Sequence, residues 1–177
     1  MKIVIIHGSP RKAGNSALLA EAFADGARSN NHEAEIISVS DYQVAPCGAC
    51  DYCKRESGKC CQNDDMQLIY NKLATADVLM IASPVYFYSL SAQVTAVIDR
   101  LHNPIRKTFH IRKVGLLLVA GASLPTEFDV IKLQHKLLLD FFKLEDAGSV
   151  TVLGVNAEGD IHRTDALERA RALGQKM

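Results

Sequence analysis

Short apolar runs alternate with stretches of helical spacing along most of the chain. Lys2–His7 (KIVIIH) is rich in Ile and Val and stops at Gly8-Ser9-Pro10, the pattern of a strand covered on both faces. From about Ser16 to Arg28 the period becomes helical, with Leu18, Leu19, Ala22, Phe23 and Ala27 on one side. Further apolar runs predict strands over Ala34–Val39, Val78–Ala82, Val114–Ala120 and Ser149–Val155. Helical spacing returns from about Asp64, where Asp64 and Gln67 have the capping-box separation, and over Leu90–Arg100, Glu127–Lys143 and Thr164–Leu173. Five strands alternating with five helices predict an α/β three-layer sandwich, a parallel sheet with helices on both faces. Such sheets bind ligands beyond the carboxyl ends of the strands near the topological switch point, which directs attention to the loops after the first, third and fourth strands.

The stretch from Asp41 to Asp64 breaks this rhythm: it has few aliphatic residues and contains every cysteine of the chain. It reads as an excursion from a scaffold that otherwise forms one domain over residues 1–177, with no linker or internal repeat. The hydrophobic fraction of 48% suits a globular chain. No apolar run approaches the roughly 20 residues that span a bilayer, and the N-terminus lacks the signal-peptide pattern, so a cytoplasmic protein with no membrane partner is expected. Lys+Arg and Asp+Glu both number 20, which leaves no net field for a polyanion and argues against general nucleic-acid binding.

The first of the three loops reads Gly8-Ser9-Pro10-Arg11-Lys12-Ala13-Gly14-Asn15-Ser16 and opens a helix. Free N–H groups at a helix start favour a phosphate, to which Ser9, Ser16, Asn15 and Arg11 can add donors and charge. A plain Ser/Asn helix cap explains the same residues. Competing signatures are absent: Pro10 breaks G-x-G-x-x-G, no G-K-[ST] occurs, no arginine lies six positions after a cysteine, and no G-x-S-x-G is present. After the third strand, Pro84-Val85-Tyr86-Phe87-Tyr88 concentrates aromatics in a chain that is 6% aromatic; such a loop offers flat contacts to a ring, or packs a core or subunit interface. Small residues at Ala120-Gly121-Ala122 allow close approach to the backbone at the third loop.

The cysteines read C-x2-C-x2-C-x6-C through Cys47, Cys50, Cys53 and Cys60, with Cys61 as an alternative fourth ligand and Lys54, Arg55 and Lys59 in the same loop. Three thiolates two residues apart can turn toward one centre, as in ferredoxin-type sites. A reversible Cys47–Cys50 disulfide and a four-thiolate zinc site stay open. His7 reads as a hydrogen-bonded core histidine, and Asp99 and Arg100 as the end of a helix in a surface ion pair or a subunit contact.

Gly8-Ser9-Pro10-Arg11 with Gly14-Asn15-Ser16, Ser83-Pro84-Val85-Tyr86-Phe87, Asp64-Asp65-Met66 and Ile98-Asp99-Arg100 together resemble the NADPH-dependent FMN reductase family, over about residues 2–121. The resemblance implies a flavodoxin-like sheet of order 2-1-3-4-5, FMN phosphate held by Ser9, Arg11, Asn15 and Ser16, and a flavin ring beside Pro84, Val85, Tyr86, Phe87 and Gly121. It implies an oxidoreductase that takes a hydride from NAD(P)H and reduces a quinone-like, metal or other small acceptor, as a homodimer or homotetramer. The cysteine spacing resembles the iron–sulfur flavoproteins of the same group, which implies a [4Fe–4S] cluster exchanging electrons with FMN and a ferredoxin-like partner. Related reductases carry cysteines in this loop without a cluster, and an FMN- or thiol-based redox sensor is the non-enzymatic alternative.

Overall fold

The computed structural model describes all residues, Met1–Met177. Its strands are β1 (Lys2–His7), β2 (Glu33–Ser38), β3 (Val78–Tyr86), β4 (Ser89–Leu90), β5 (Lys113–Val119) and β6 (Glu145–Val152). The helices are α1 (Asn15–Ser29), α2 (Tyr52–Arg55), α3 (Met66–Ala74), α4 (Ala92–Arg100), α5 (Asp129–Phe142) and α6 (Ala166–Gln175). The unbroken apolar runs of β1, β3 and β5 arise because successive side chains enter two different cores. Val4, Ile6, Leu79, Ile81, Leu116 and Leu118 face α3, α4 and α5, while Ile3, Ile5, Met80 and Leu117 face α1 and α6.

Five parallel strands lie in the order β2-β1-β3-β5-β6. This is the anticipated five-strand order, to which the structure adds β4 as a short antiparallel partner of β3. β3 does not end at Ala82 but runs on to Tyr86 and turns back at Phe87-Tyr88. Both turn residues have positive φ (49° and 62°), the backbone of a two-residue hairpin turn that glycine or asparagine normally occupies. The apolar face of the hairpin explains why the sequence pattern assigns Leu90 to the following helix: Leu90 is buried in the same core, but α4 starts only at Ala92. β6 likewise begins earlier than its apolar residues suggest, because Glu145 and Asp146 pair with Lys113 and Val114 at the sheet edge. No helix is long and apolar enough to cross a membrane.

Candidate cofactor cleft and cysteine loop

β1 and β3 are hydrogen-bonded neighbours whose onward connections run in opposite directions along the sheet, which makes their carboxyl ends the switch point, and the chain leaves β1 through a turn that leads into α1. Gly14 is the N-cap of α1 and no side chain caps the helix, which leaves the first N–H groups open at the positive end of its dipole. Ser9 Oγ accepts a hydrogen bond from the Arg11 N–H at 3.1 Å and shapes the turn. Ser16 Oγ lies 3.0 Å from His7 Nε2 in a buried contact. Burial lowers the pKa of His7 and the charge of Asp41 opposes this only in part, so the imidazole is neutral at neutral pH. The Asn15 amide is engaged elsewhere: Nδ2 donates to the Ala157 carbonyl at 2.9 Å and Oδ1 accepts from the Ile161 N–H at 3.2 Å.

Ser9, Arg11, Asn15 and Ser16 line one cleft of about 130 Å³ with Pro84, Val85, Tyr86 and Gly121. Loops far apart in sequence therefore meet where the strand-end rule places a ligand. The volume suits a phosphate-sized group and lies well below the roughly 300 Å³ at which small-molecule pockets begin. A larger molecule anchored here must extend outward past Tyr86, which is 54% exposed. Phe87 does not line the cleft; it stands 98% exposed at the hairpin tip. Asn156 and Glu158 also line the cleft from the loop after β6. The sequence reading missed them, although the same strand-end rule covers that loop. Asn156 Oδ1 is only 2.3 Å from where a Cβ on Gly121 would sit, so a larger residue at 121 would displace it.

All five cysteines are free thiols. The pair in contact is Cys50 and Cys61, with sulfurs 3.2 Å apart, rather than Cys47 and Cys50. The Tyr52 N–H and the Cys61 thiol, aided by Arg55, lower the pKa of Cys50, while donating to Cys50 raises that of Cys61. No three cysteines, histidines or carboxylates stand together as a metal site. The donor set nevertheless matches a thiolate-bound centre in kind and number.

Both stems of this loop are closed by one buried arginine. Arg100, at the end of α4, is 2% exposed. It donates from Nη1 to Asp64 Oδ2 (2.7 Å), Ala45 O (2.9 Å) and Gln62 Oε1 (3.1 Å), and from Nη2 to Asp64 Oδ1 (3.0 Å) and Cys60 Sγ (3.3 Å). The expected surface ion pair or subunit contact is thus an internal clamp, because a fork of fixed donors can satisfy several acceptors on converging segments at once. Burial alone would raise the pKa of Asp64, but Arg100 and the N–H groups of Ala45 and Met66 outweigh it and hold the carboxyl below its usual range. The capping box does not form: α3 is preceded by Asp65, whose side chain makes no cap, Asp64 Oδ1 accepts from the Met66 N–H two residues on, and the Gln67 side chain bonds Asn71.

The model of the family described as NADPH-dependent FMN reductase matches residues 1–151. An iron–sulfur flavoprotein of Methanocaldococcus jannaschii is 36% identical over an alignment 192 positions long, spanning 100% of this chain and 95% of that protein. Another, from Archaeoglobus fulgidus, is 30% identical over 181 residues, spanning 100% and 79%. The fold is shared with an NAD(P)H:quinone oxidoreductase from Methanothermobacter marburgensis (TM-score 0.77, 19% identity, 99% of this chain and 95% of that one). It is shared equally with an azoreductase from Bacillus anthracis (TM-score 0.76, 20% identity, 100% of both chains). With the uncapped α1 turn, the strand-end cleft and the cysteine spacing in agreement, the chain belongs to the NADPH-dependent FMN reductase and iron–sulfur flavoprotein family and is an FMN-dependent NAD(P)H oxidoreductase.

Proposed function

We propose that residues 1–177 form one FMN-binding unit whose α1 turn holds the FMN phosphate, and that it passes electrons from NAD(P)H to a small acceptor or a ferredoxin-like protein. The observation that carries this is the convergence of Ser9, Arg11 and Ser16 with Pro84, Val85, Tyr86 and Gly121 on one cleft at an uncapped helix start. Bound FMN would supply hydride acceptance and onward electron transfer. Arg11 would give the phosphate a charge-assisted contact, and Ser9 a hydroxyl. With Nε2 protonated, His7 donates to Ser16 Oγ and leaves the Ser16 hydroxyl free to donate to phosphate. Asn15 would act by holding the 157–161 segment against α1 with its side-chain amide, rather than by turning that amide to the phosphate. Tyr86 and Phe87 offer exposed flat surface beside the mouth for the flavin ring.

A second reading concerns the loop: Cys47, Cys50 and Cys53 with Cys60, or with Cys61 in its place, would ligate a [4Fe–4S] cluster. The free thiols and the Arg100 N–H against Cys60 support it. Cluster formation would draw the cysteines beyond the Cys50–Cys61 pair inward. Homo-oligomerisation is supported by an outward apolar stripe on α5, Val130, Leu133, Leu137 and Phe141, exposed at helical spacing.

The deciding experiment is the visible spectrum of protein purified without oxygen, with iron and acid-labile sulfide assayed on the same sample. A flavin spectrum with extra broad absorbance and roughly four irons per chain supports both readings. Flavin without iron leaves the reductase alone, and no flavin after adding FMN overturns the phosphate assignment. Arg11→Ala should weaken FMN binding about tenfold or more. Absence of NAD(P)H turnover by the flavin-loaded protein would favour the sensor.

A further inference from the structure

A second hollow, larger than the FMN cleft, is lined in part by the cysteine loop and shares no lining residue with that cleft. It measures about 940 Å³, at the upper end of the range for small-molecule sites. Its floor is the sheet face at Leu79, Ile81 and Val114, and its outer wall is the inward stripe of α5. His135, Leu138, Leu139 and Phe142 form that stripe, at the i, i+3, i+4, i+7 spacing of one helix face. α5 thus presents one apolar stripe to the hollow and a different one, through Leu133 and Leu137, to the outside.

Two features make this more than loose packing. Only two buried side-chain nitrogens or oxygens in the protein lack a hydrogen-bond partner, Arg100 Nε and His135 Nε2, and both residues line this hollow. Asp146 Oδ1 stands 3.5 Å from His135 Nε2 without forming a hydrogen bond. Buried polar atoms are costly to leave unpaired, and a small side-chain shift toward an occupant's oxygens would give Arg100 Nε–H, and His135 in its Nε2-protonated form, the partner each lacks. The second feature is charge. Arg106, Lys107, Arg112 and Lys143 line the hollow against only Asp51 and Asp99. Arg106 also bridges the two walls, with its guanidinium 5.2 Å from the centre of the Phe142 ring and Nη1 bonded to the His102 carbonyl.

We propose that this hollow is a binding site for a small apolar anion, an aromatic or aliphatic body carrying a carboxylate or sulfonate. The body packs against the sheet floor and the inner stripe of α5, and the anionic oxygens meet the arginine and lysine side chains and the unpartnered donors. Cys47, Cys50, Cys53, Cys60 and Cys61 line the same hollow, so the ligand would sit against the cysteine loop whether or not that loop holds a cluster.

The test is calorimetric titration of the flavin-loaded protein with naphthalene-2-sulfonate, which reads heat and is indifferent to the protein's colour. Saturable binding at one site per chain is expected, with a negative heat-capacity change from apolar burial. Uncharged naphthalene and the Arg106→Glu variant should each bind about tenfold more weakly or worse. Leu138→Trp, which narrows the hollow along α5, should weaken binding, and Leu133→Lys, on the outer stripe of α5, should leave it intact. Should any of these variants fail to fold, the comparison of charged and uncharged probes on the unaltered protein still decides. Absence of saturable heat overturns the proposal, as does equal affinity for naphthalene. Loss of binding in Leu133→Lys with retention in Leu138→Trp also overturns it, and assigns the affinity to the outer face.

Discussion

Replacing Arg100 with glutamine removes the guanidinium that closes the cysteine loop and strands its acceptors. Asp64 keeps the N–H groups of Ala45 and Met66 but loses both guanidinium contacts, and its side chain is only 14% exposed. Breaking a buried pair from one side costs about 3–5 kcal/mol, and the two remaining donors place this case near the lower end, about 3 kcal/mol. For a chain of this size each kcal/mol moves the melting temperature by about 2–4 °C, so a fall of about 6–12 °C is expected. Scanning calorimetry at pH 7 on the Arg100→Gln, Asp64→Asn and double variants provides the assay. Because the double variant carries no stranded charge, it should melt above Arg100→Gln, with a coupling of about 2 kcal/mol. Arg100→Lys keeps the charge without the fork and should fall between. The Asp64 carboxyl is held low in the folded protein, so the pair contributes fully above the unfolded carboxylate value of about 3.9. The contribution is lost as pH falls through the lower folded value, and the gap between wild type and Arg100→Gln should close only below about pH 4. A fall under about 2 °C, or additive effects of the two single changes, would refute the clamp.

Four further outcomes follow from the same geometry. Since burial lowers the folded pKa of His7, its contribution is complete above the unfolded value of about 6.5 and is lost as pH drops toward the folded one; His7→Gln should flatten the decline in urea stability between pH 7.5 and 5.5, and an unchanged slope would contradict it. A Cβ on Gly8 would lie 2.2 Å from Val94 Cγ2 and 2.4 Å from Ser91 Oγ, so Gly8→Ala should cost about 1–3 kcal/mol in urea unfolding and weaken FMN binding by shifting the phosphate turn. At the crossing of α1 and α6, a Cβ on Gly26 would meet the Arg171 carbonyl oxygen at 2.0 Å; Gly26→Ala should therefore destabilise by about 2 kcal/mol despite its better helix propensity, whereas a rise in melting temperature would show that the helices can separate freely. In reduced, iron-free protein, iodoacetamide near pH 7.5 should label Cys50 ahead of Cys61, because the Tyr52 N–H and its neighbours favour the Cys50 thiolate while the shared contact disfavours that of Cys61; peptide mass spectrometry reads the order, and the reverse order would remove the basis for it.

The alternation of apolar runs and helical stretches determined the layered parallel sheet without help from the structure, because strands buried on both faces read as near-continuous apolar runs; the order of the strands came from the family resemblance instead. The turn that opens α1 was legible as well: Gly8, Ser9, Arg11, Gly14 and Ser16 are neighbours in sequence and shape it through local backbone geometry, and the phosphate placed there is our proposal. The hairpin at Phe87-Tyr88 was not legible, since a turn with two left-handed residues normally announces itself with glycine or asparagine. Asn156 and Glu158 became part of the cleft only when β6 took its place at the edge of the sheet. Arg100 shows the limit most clearly. An arginine after an aspartate at a helix end looks the same whether it faces water or the interior, and only the return of the chain from Ala45 to Asp64 decided between them. The unpartnered nitrogens of Arg100 and His135 beside a large apolar hollow belong to the same class. Local turns and the period of burial are written in consecutive residues, whereas the partners of a buried charge and the space left between elements are set by segments dozens of residues apart, which only tertiary packing brings together.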